Sequence, residues 1–120
     1  DEGQVWEAAM LAPHFKLDNL TAIIDHNDLQ LDGRVCDIMG LEPLADKWRA
    51  FNWHAFEIDG HDMKQILETL DKARKTKGKP TVVIAHTVKG KGVSFMENNV
   101  DFHGKAPTPQ EAEIALKELA

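Results

Sequence analysis

The stretch Thr81-Val82-Val83-Ile84-Ala85-His86-Thr87-Val88-Lys89-Gly90-Lys91-Gly92 decides the fold class. It is an apolar, β-branched run of strand length that opens directly into a glycine-bearing loop, as a strand buried inside a sheet does. Working back from it, Gly78 to Pro80 stop the preceding segment, in which Ile66, Leu67, Leu70 and Ala73 recur at helical spacing behind Asp62, a residue type suited to capping. Before that helix, His54-Ala55-Phe56-Glu57-Ile58 alternates as a strand does and ends in the turn residues Asp59-Gly60. The core of the chain therefore reads strand, helix, strand.

Further out the alternation continues. Leu20-Thr21-Ala22-Ile23-Ile24-Asp25 predicts a strand buried on both faces, and Pro43 to Phe51 predicts a helix with Pro43 in its first turn and Leu44, Trp48 and Phe51 on one face. Trp48, Phe51 and Trp53 read as core. From Gly3 to Phe15, the positions Val5, Ala8, Ala9, Leu11 and Phe15 predict a first helix that stops near Pro13 or shortly after. Val93 to Pro109 lacks periodicity, and Gln110 to Leu119 predicts a closing helix with Ala112, Ala115, Leu116 and Leu119 turned inward. Strands alternating with helices predict an α/β fold, a parallel sheet flanked by helices.

At 120 residues the chain is one domain in size, and its 42% hydrophobic and 28% charged residues are those of a globular protein. The formal net charge of −6 argues against a nucleic-acid partner, which requires lysine and arginine to displace counterions. No apolar run approaches the ~20 residues of a membrane span, and no signal-like N-terminus is present. A single cysteine, Cys36, excludes an intrachain disulfide, and a cytoplasmic location is the expectation. The chain starts without methionine and enters helical patterning at once, which reads as a segment of a longer protein.

Ligands in open α/β sheets gather beyond the carboxyl ends of the strands. Two loops stand there. Asp25-His26-Asn27-Asp28-Leu29-Gln30-Leu31-Asp32-Gly33 offers oxygen atoms for a hard cation such as Mg²⁺, and equally the composition of a self-capped turn. His86-Thr87-Val88-Lys89-Gly90-Lys91-Gly92 offers close backbone approach and two lysines for phosphate, and equally a solvated basic turn; it lacks the spacing of a P-loop. The six histidines have no zinc-type pairing with cysteine and no His-Glu-x-x-His. His103 stands in the aperiodic stretch with Asn98, Asn99 and Asp101, and Glu2 opens the first helix, where a carboxylate suits the dipole.

Taken in order, Asp1-Glu2-Gly3-Gln4-Val5-Trp6-Glu7-Ala8-Ala9, the Asp25 to Gly33 loop, Pro43-Leu44-Ala45-Asp46-Lys47-Trp48, Glu57-Ile58-Asp59-Gly60-His61-Asp62, Lys79-Pro80-Thr81, His86 to Gly92, Phe95-Met96-Glu97-Asn98-Asn99 and His103-Gly104-Lys105-Ala106-Pro107 resemble the transketolase family over the whole chain. The likeness is to the N-terminal subunit of its split, two-chain members. The resemblance implies a partial thiamine-diphosphate-binding fold over residues 1–120, with the Gly-Asp-Gly part of the cofactor motif, and its metal-binding aspartate, lying upstream.

It also implies roles. The Asn27 side chain and the Leu29 carbonyl would ligate a divalent ion holding the cofactor's diphosphate; Val88 would pack near the thiazolium ring; His103 would touch the diphosphate and the donor's hydroxyls. Glu2 would hydrogen-bond toward the glutamate that acts on the aminopyrimidine. Glu2 and His103 are thus the implied catalytic pair. The implied reaction is two-carbon ketol transfer from a ketose phosphate to an aldose phosphate, as in the pentose phosphate pathway, with carbanion chemistry supplied by the cofactor. A pyrimidine-binding C-terminal subunit is the implied partner, in a dimer of such pairs. Related thiamine enzymes such as 1-deoxyxylulose-5-phosphate synthase or dihydroxyacetone synthase, and a fragment that binds no cofactor alone, are the alternatives; the Phe95 to Asn99 run favours transketolase.

Overall fold

A computed structural model describes residues 2–120; Asp1, the first residue of the N-terminal motif, lies outside the described residues. Along the chain the elements are α1 (Gly3–His14), β1 (Thr21–His26), β2 (Leu29–Gln30), β3 (Gly33–Arg34), α2 (Val35–Ile38), α3 (Leu44–Ala50), β4 (His54–Asp59), α4 (Met63–Lys75), β5 (Thr81–His86), a 3₁₀ turn (Val100–His103) and α5 (Pro109–Glu118). They fall into two compact units. One holds residues up to His26 and from Leu41 to His86; the other holds Asn27–Gly40 and Thr87–Ala120.

The first unit is built on a three-stranded parallel sheet in the order β1-β5-β4. β5 is the central strand, buried from Thr81 to Ala85, so the continuous apolar run has the position it predicts. Alternation divides the sheet into two faces. On one, Ala22, Ile24, Val82, Ile84 and Ala55 pack with Ala9 and Ala12 of α1, Leu44, Ala45 and Trp48 of α3, and Trp53. On the other, Val83, Ala85 and Ile58 pack with Ile66 of α4.

β1 departs from its sequence reading. Thr21, Ile23 and Asp25 are exposed, and only the face toward α1 and α3 is partly covered. The reason is positional: among the described residues β1 is an edge strand, and on its second face Ile66 of α4 packs against Val83, Ala85 and Ile58 of the neighbouring strands. The amphipathic stripes also shift. α4 buries Thr69 and Ala73 and leaves Leu67 59% exposed, while α1 buries the small Ala9 and Ala12 and leaves Val5, Leu11 and Phe15 outside. Small residues let a helix approach a flat sheet closely, so of the predicted stripes the alanines Ala9 and Ala73 are buried, joined by Ala12 and Thr69.

Helix α1 runs through Pro13 to His14, ending where the sequence predicts. Proline at residue 13 removes the N–H that would bond the carbonyl of Ala9 one turn back. That carbonyl instead accepts from Trp53 Nε1 at 2.7 Å, a buried bond across 44 residues of sequence. A tryptophan next to β4 thus replaces the donor that the helix lacks. Trp53 also stands edge-on to Trp48 at 4.8 Å, and Trp6 joins the cluster against Trp48 and Phe51. The predicted aromatic core is present, with Trp6 added. Helix α4 carries its predicted cap, the Asp62 carboxylate accepting from the amides of Lys64 and Gln65 at 2.9 and 3.2 Å.

The second unit contains the β2-β3 hairpin, α2, the Thr87 to Gly104 segment and α5. Its aperiodic stretch is ordered by its own side chains. Asn99 accepts from the amide of Asp101 and donates to the carbonyl of Phe95, and the rings of Phe95 and Phe102 lie 5.7 Å apart. α5 opens with a reciprocal capping box between Thr108 and Glu111, and Glu118 near its end accepts from both the amide and the hydroxyl of Ser94. None of its residues is fully buried: of the predicted inward face, Ala112 and Ala115 are half-buried, while Leu116 and Leu119 are exposed. No helix of the described residues is long and apolar enough to cross a membrane.

Candidate functional site

Parallel register sets the frame of the site. His26 ends β1 and stands opposite His86, the last residue of β5, so both strands deliver their loops at one edge of the sheet. The two imidazoles meet edge to face, centroids 4.9 Å apart. Each has a carboxylate beside it. His26 Nε2 lies 3.1 Å from Glu42 Oε1, and the other oxygen of Glu42 accepts from the amide of Leu44 at 2.8 Å at the start of α3. That amide, first of all, holds the Glu42 carboxyl below its ordinary range, with the nearby imidazoles acting in the same direction. His86 Nε2 lies 3.5 Å from Glu57 Oε2, and Glu57 is bridged through Arg49 to Asp46 on α3.

Sequence reasoning passed over this group. His26 and His86 are 60 positions apart in the chain, and only strand pairing reveals that they are neighbours. The available signal was that each directly follows an apolar strand run, at the end where α/β sheets bind ligands.

Beyond β1, Asn27 turns the chain on itself: its Oδ1 accepts from the amide of Leu29 at 3.0 Å, and Asp28 between them adopts φ 61°. The turn reading of this loop is therefore met. The turn also brings the side-chain oxygen of Asn27 and the peptide of Leu29 together, and an amide oxygen carries two lone pairs, so the bond does not preclude a cation. Among the described residues no group of three His, Cys, Asp or Glu side chains stands ready to hold a metal ion. Two neutral oxygens fit part of a Mg²⁺ shell, which usually includes one or two carboxylates. The residues fit such an ion as partial ligands.

Beyond β5, the glycines of the basic loop serve the backbone. Gly90 has φ 72°, and a Cβ there would lie 2.6 Å from the carbonyl oxygen of Met96; Gly92 has φ 90°. The loop closes through a 2.9 Å bond from the amide of Asn98 to the carbonyl of Lys89. Of the two candidate phosphate lysines, Lys91 stands 3.8 Å from Glu97, which also accepts from the amide of Gly92. Val88 is half-buried, its carbonyl accepting from the amide of Lys91. His103 ends the 3₁₀ turn and is exposed.

Glu2 belongs to the sheet unit, where it caps α1 with extended backbone and its carboxylate accepts from the side chain of Gln4. With Val5, Trp6, Ile24, Leu41, Leu44 and Trp48 it lines an open, mostly apolar cavity of about 320 Å³. The structure thus joins Asn27 to Leu29 directly and places Val88 and His103 in the same unit as that pair, while Glu2 stands in the other unit.

Residues 1–119 match the family model described as transketolase, thiamine diphosphate binding domain. The chain is 45% identical to a 6-deoxy-6-sulfo-D-fructose transketolase subunit of Clostridium sp. (strain MSTE9), over 99% of this chain and 43% of that one. It is 44% identical to an apulose-4-phosphate transketolase subunit of Phocaeicola vulgatus, over 99% of this chain and 42% of that one. The transketolase of Campylobacter jejuni superposes with a TM-score of 0.90 at 31% identity, over 98% of this chain and 18% of that structure. The chain thus spans less than half the length of these curated relatives.

Proposed function

That this chain belongs to the thiamine-diphosphate-binding domain family of transketolases is the premise from which we propose its role. It forms part of the cofactor site of a two-chain transketolase that moves a two-carbon ketol unit from a ketose phosphate to an aldose phosphate. The carrying observation is the turn at Asn27, where a side-chain amide oxygen and the peptide of Leu29 are brought together beyond a β-strand. A hard divalent cation, Mg²⁺ or its equivalent, takes such oxygen ligands and bridges to a diphosphate.

The transketolase names of both curated relatives favour ketol transfer over the synthase alternatives, and each name describes one subunit of a transketolase, which supports a separate partner chain. The partner is a pyrimidine-binding subunit, in a dimer of pairs. An anionic sugar as donor agrees with the apulose 4-phosphate of one relative's name and with a Pichia stipitis transketolase solved with sedoheptulose 7-phosphate, which covers 98% of this chain. A cytoplasmic location and a place in the pentose phosphate pathway belong to the same reading.

Thiamine diphosphate, when bound, supplies the carbon nucleophile and the electron sink for carbon–carbon cleavage. The residues of this chain bind and orient. Asn27 and the carbonyl of Leu29 hold the cation, and Val88 gives the ring an apolar neighbour. The exposed imidazole of His103 hydrogen-bonds the diphosphate or the hydroxyls of the donor sugar, and Glu2 holds the partner's carboxylate in place. The aspartate that completes the cation's ligands comes from a Gly-Asp-Gly segment preceding residue 1, so that residues 1–120 are a partial domain.

Calorimetry tests this. The 120 residues alone should show no submillimolar affinity for thiamine diphosphate with Mg²⁺. Extended by an upstream segment and mixed with a pyrimidine-binding subunit, they should bind the cofactor and transfer ketol units. Tight binding by the chain alone, or an assembled pair that binds no cofactor, would overturn the assignment.

A further inference from the structure

We propose that Asn99 is a positioning residue: its side-chain amide braces the single turn that carries His103, and through that turn fixes where the imidazole stands. This rests on the role proposed above for His103 and adds the residue that holds it to that role.

The need for a brace comes from exposure. His103 closes the 3₁₀ turn Val100–His103, none of whose residues is buried. From Val93 to His103 only Val93 is buried, and the imidazole itself is exposed. A group that binds a diphosphate or a sugar hydroxyl productively is held within about 0.5 Å of its working position. Apolar burial does not supply that precision in this segment, so polar bonds must.

Asn99 makes two such bonds from opposite ends of one planar group. Its Oδ1 accepts from the amide of Asp101 at 3.0 Å, which caps the turn. Its Nδ2 donates to the carbonyl of Phe95 at 3.1 Å, which ties the turn to the segment before it. An asparagine amide carries the acceptor and the donor on separate atoms, whereas aspartate lacks the donor and alanine lacks both. A 3₁₀ turn bonds each residue to the third one along, so fixing its first residues fixes His103 at its end. Phe102, next to His103, adds a second contact, its ring 5.7 Å from that of Phe95. Phe95 therefore meets the turn twice, by its carbonyl at Asn99 and by its ring at Phe102.

The other end of the brace is anchored as well. The backbone amide of Asn99 donates to the carbonyl of Met96 at 3.1 Å, and that carbonyl oxygen is the one that leaves no room for a Cβ on Gly90. The amide of Asn98 donates to the carbonyl of Lys89 at 2.9 Å, and Glu97 accepts from the amide of Gly92 at 3.0 Å. The run Phe95-Met96-Glu97-Asn98-Asn99, which marks the likeness to transketolases, is thus one connected bridge. It joins the loop that follows Val88 to the turn that ends in His103, and so holds in one register two residues proposed to meet the cofactor.

The test uses the chain extended by its upstream segment and assembled with a pyrimidine-binding subunit, thiamine diphosphate and Mg²⁺. Asn99→Ala, Asn99→Asp, His103→Ala and the double variant of Asn99→Ala with His103→Ala are compared. Nuclear magnetic resonance of ¹³Cε1-labelled histidine reads the His103 imidazole, and steady-state kinetics reads ketol transfer. Asn99→Ala should displace and broaden the His103 signal, leave the circular dichroism unchanged, and lower kcat/KM for the donor by ~10–100-fold, as a small misplacement of a binding group does. Asn99→Asp keeps the cap and loses only the donor, so it should fall between Asn99→Ala and the native enzyme. In the His103→Ala background, Asn99→Ala should change kcat/KM by less than ~2-fold, because a residue that acts through His103 then has nothing to act on.

A loss from Asn99→Ala that is as large without His103 as with it would overturn the proposal. So would a His103 signal that Asn99→Ala leaves in place. If His103→Ala transfers ketol units at the native rate while Asn99→Ala still displaces the imidazole signal, the role proposed for His103 fails and its placement by Asn99 stands. If His103→Ala abolishes transfer while Asn99→Ala moves neither the signal nor the rate, the brace fails and the functional reading stands.

Discussion

Trp53→Phe isolates the contact that lets α1 tolerate its proline. In the native protein the Ala9 carbonyl takes the Trp53 indole N–H at 2.7 Å because residue 13 has no N–H to offer. Phenylalanine leaves that carbonyl without either donor, and stranding a buried acceptor costs ~1–3 kcal/mol. Loss of the five-membered ring from a residue 4% exposed and stacked edge-on with Trp48 adds roughly 1–2 kcal/mol of packing. The total, about 2–5 kcal/mol, corresponds to a fall in Tm of roughly 8–20 °C for a chain of this size.

The discriminating measurement is a double-mutant cycle with Pro13→Ala, which restores an N–H at residue 13 able to reach the Ala9 carbonyl. Packing losses are common to both arms and cancel. In the alanine background the cost of Trp53→Phe should shrink by about 1 kcal/mol or more, read from urea unfolding followed by far-ultraviolet circular dichroism. Additivity of the two substitutions within ~0.5 kcal/mol would refute the exchange of donors.

Gly90→Ala should destabilise its loop by about 1–3 kcal/mol, since it adds both a left-handed strain and a 2.6 Å clash with Met96, whereas Gly78→Ala, at φ 83° with open space around it, should cost only the strain. Hydrogen exchange at the amide of Asn98, which closes the loop onto Lys89, reports the difference. Thr108→Ala should cost about 1 kcal/mol and fray the start of α5, measured by circular dichroism. The Glu111 carboxyl in the same capping box lies below its ordinary value of 4.5, held there first by the amide of Thr108. A folded-state value below the unfolded one means that its stabilisation is complete above pH ~4.5 and disappears as pH falls through the folded value. Glu111→Gln should therefore flatten the acid limb of stability. In the assembled enzyme, Asn27→Ala should raise the Mg²⁺ requirement by ~10–100-fold while Asn27→Asp retains part of the affinity; equal loss in both would argue against a ligand role.

Much of the first unit was readable from one dimension. β5 announced itself by composition, β4 by alternation, α4 by Asp62 and its stripe, and each lies within a residue or two of its predicted span. The turn at Asn27 was legible too, because side-chain capping acts over two residues. The small β2-β3 hairpin and the 3₁₀ turn before His103 were not. Both are too short to show a period and are held by single hydrogen bonds and local φ values, as at Leu31, Asn98 and Asn99. The pairing of His26 with His86 was invisible for a different reason: it follows from strand order, which no local pattern carries.

By itself, then, the sequence determined the longer elements, the apolar strand that anchors the sheet, and the ordered motifs that place the chain in its family, because propensity, capping and alternation act between residues a few positions apart. The tertiary structure alone decided which faces of those elements meet. Of the predicted stripes it buried Ala9 and Ala73, added Ala12 and Thr69, and left Leu11 and Leu67 exposed, since packing against a sheet rewards close approach. It also gave the carbonyl opposite Pro13 its donor from Trp53, and set β1 at an edge with Ile23 uncovered. Those outcomes depend on contacts between residues far apart in the chain, and a pattern read along the chain has no access to them.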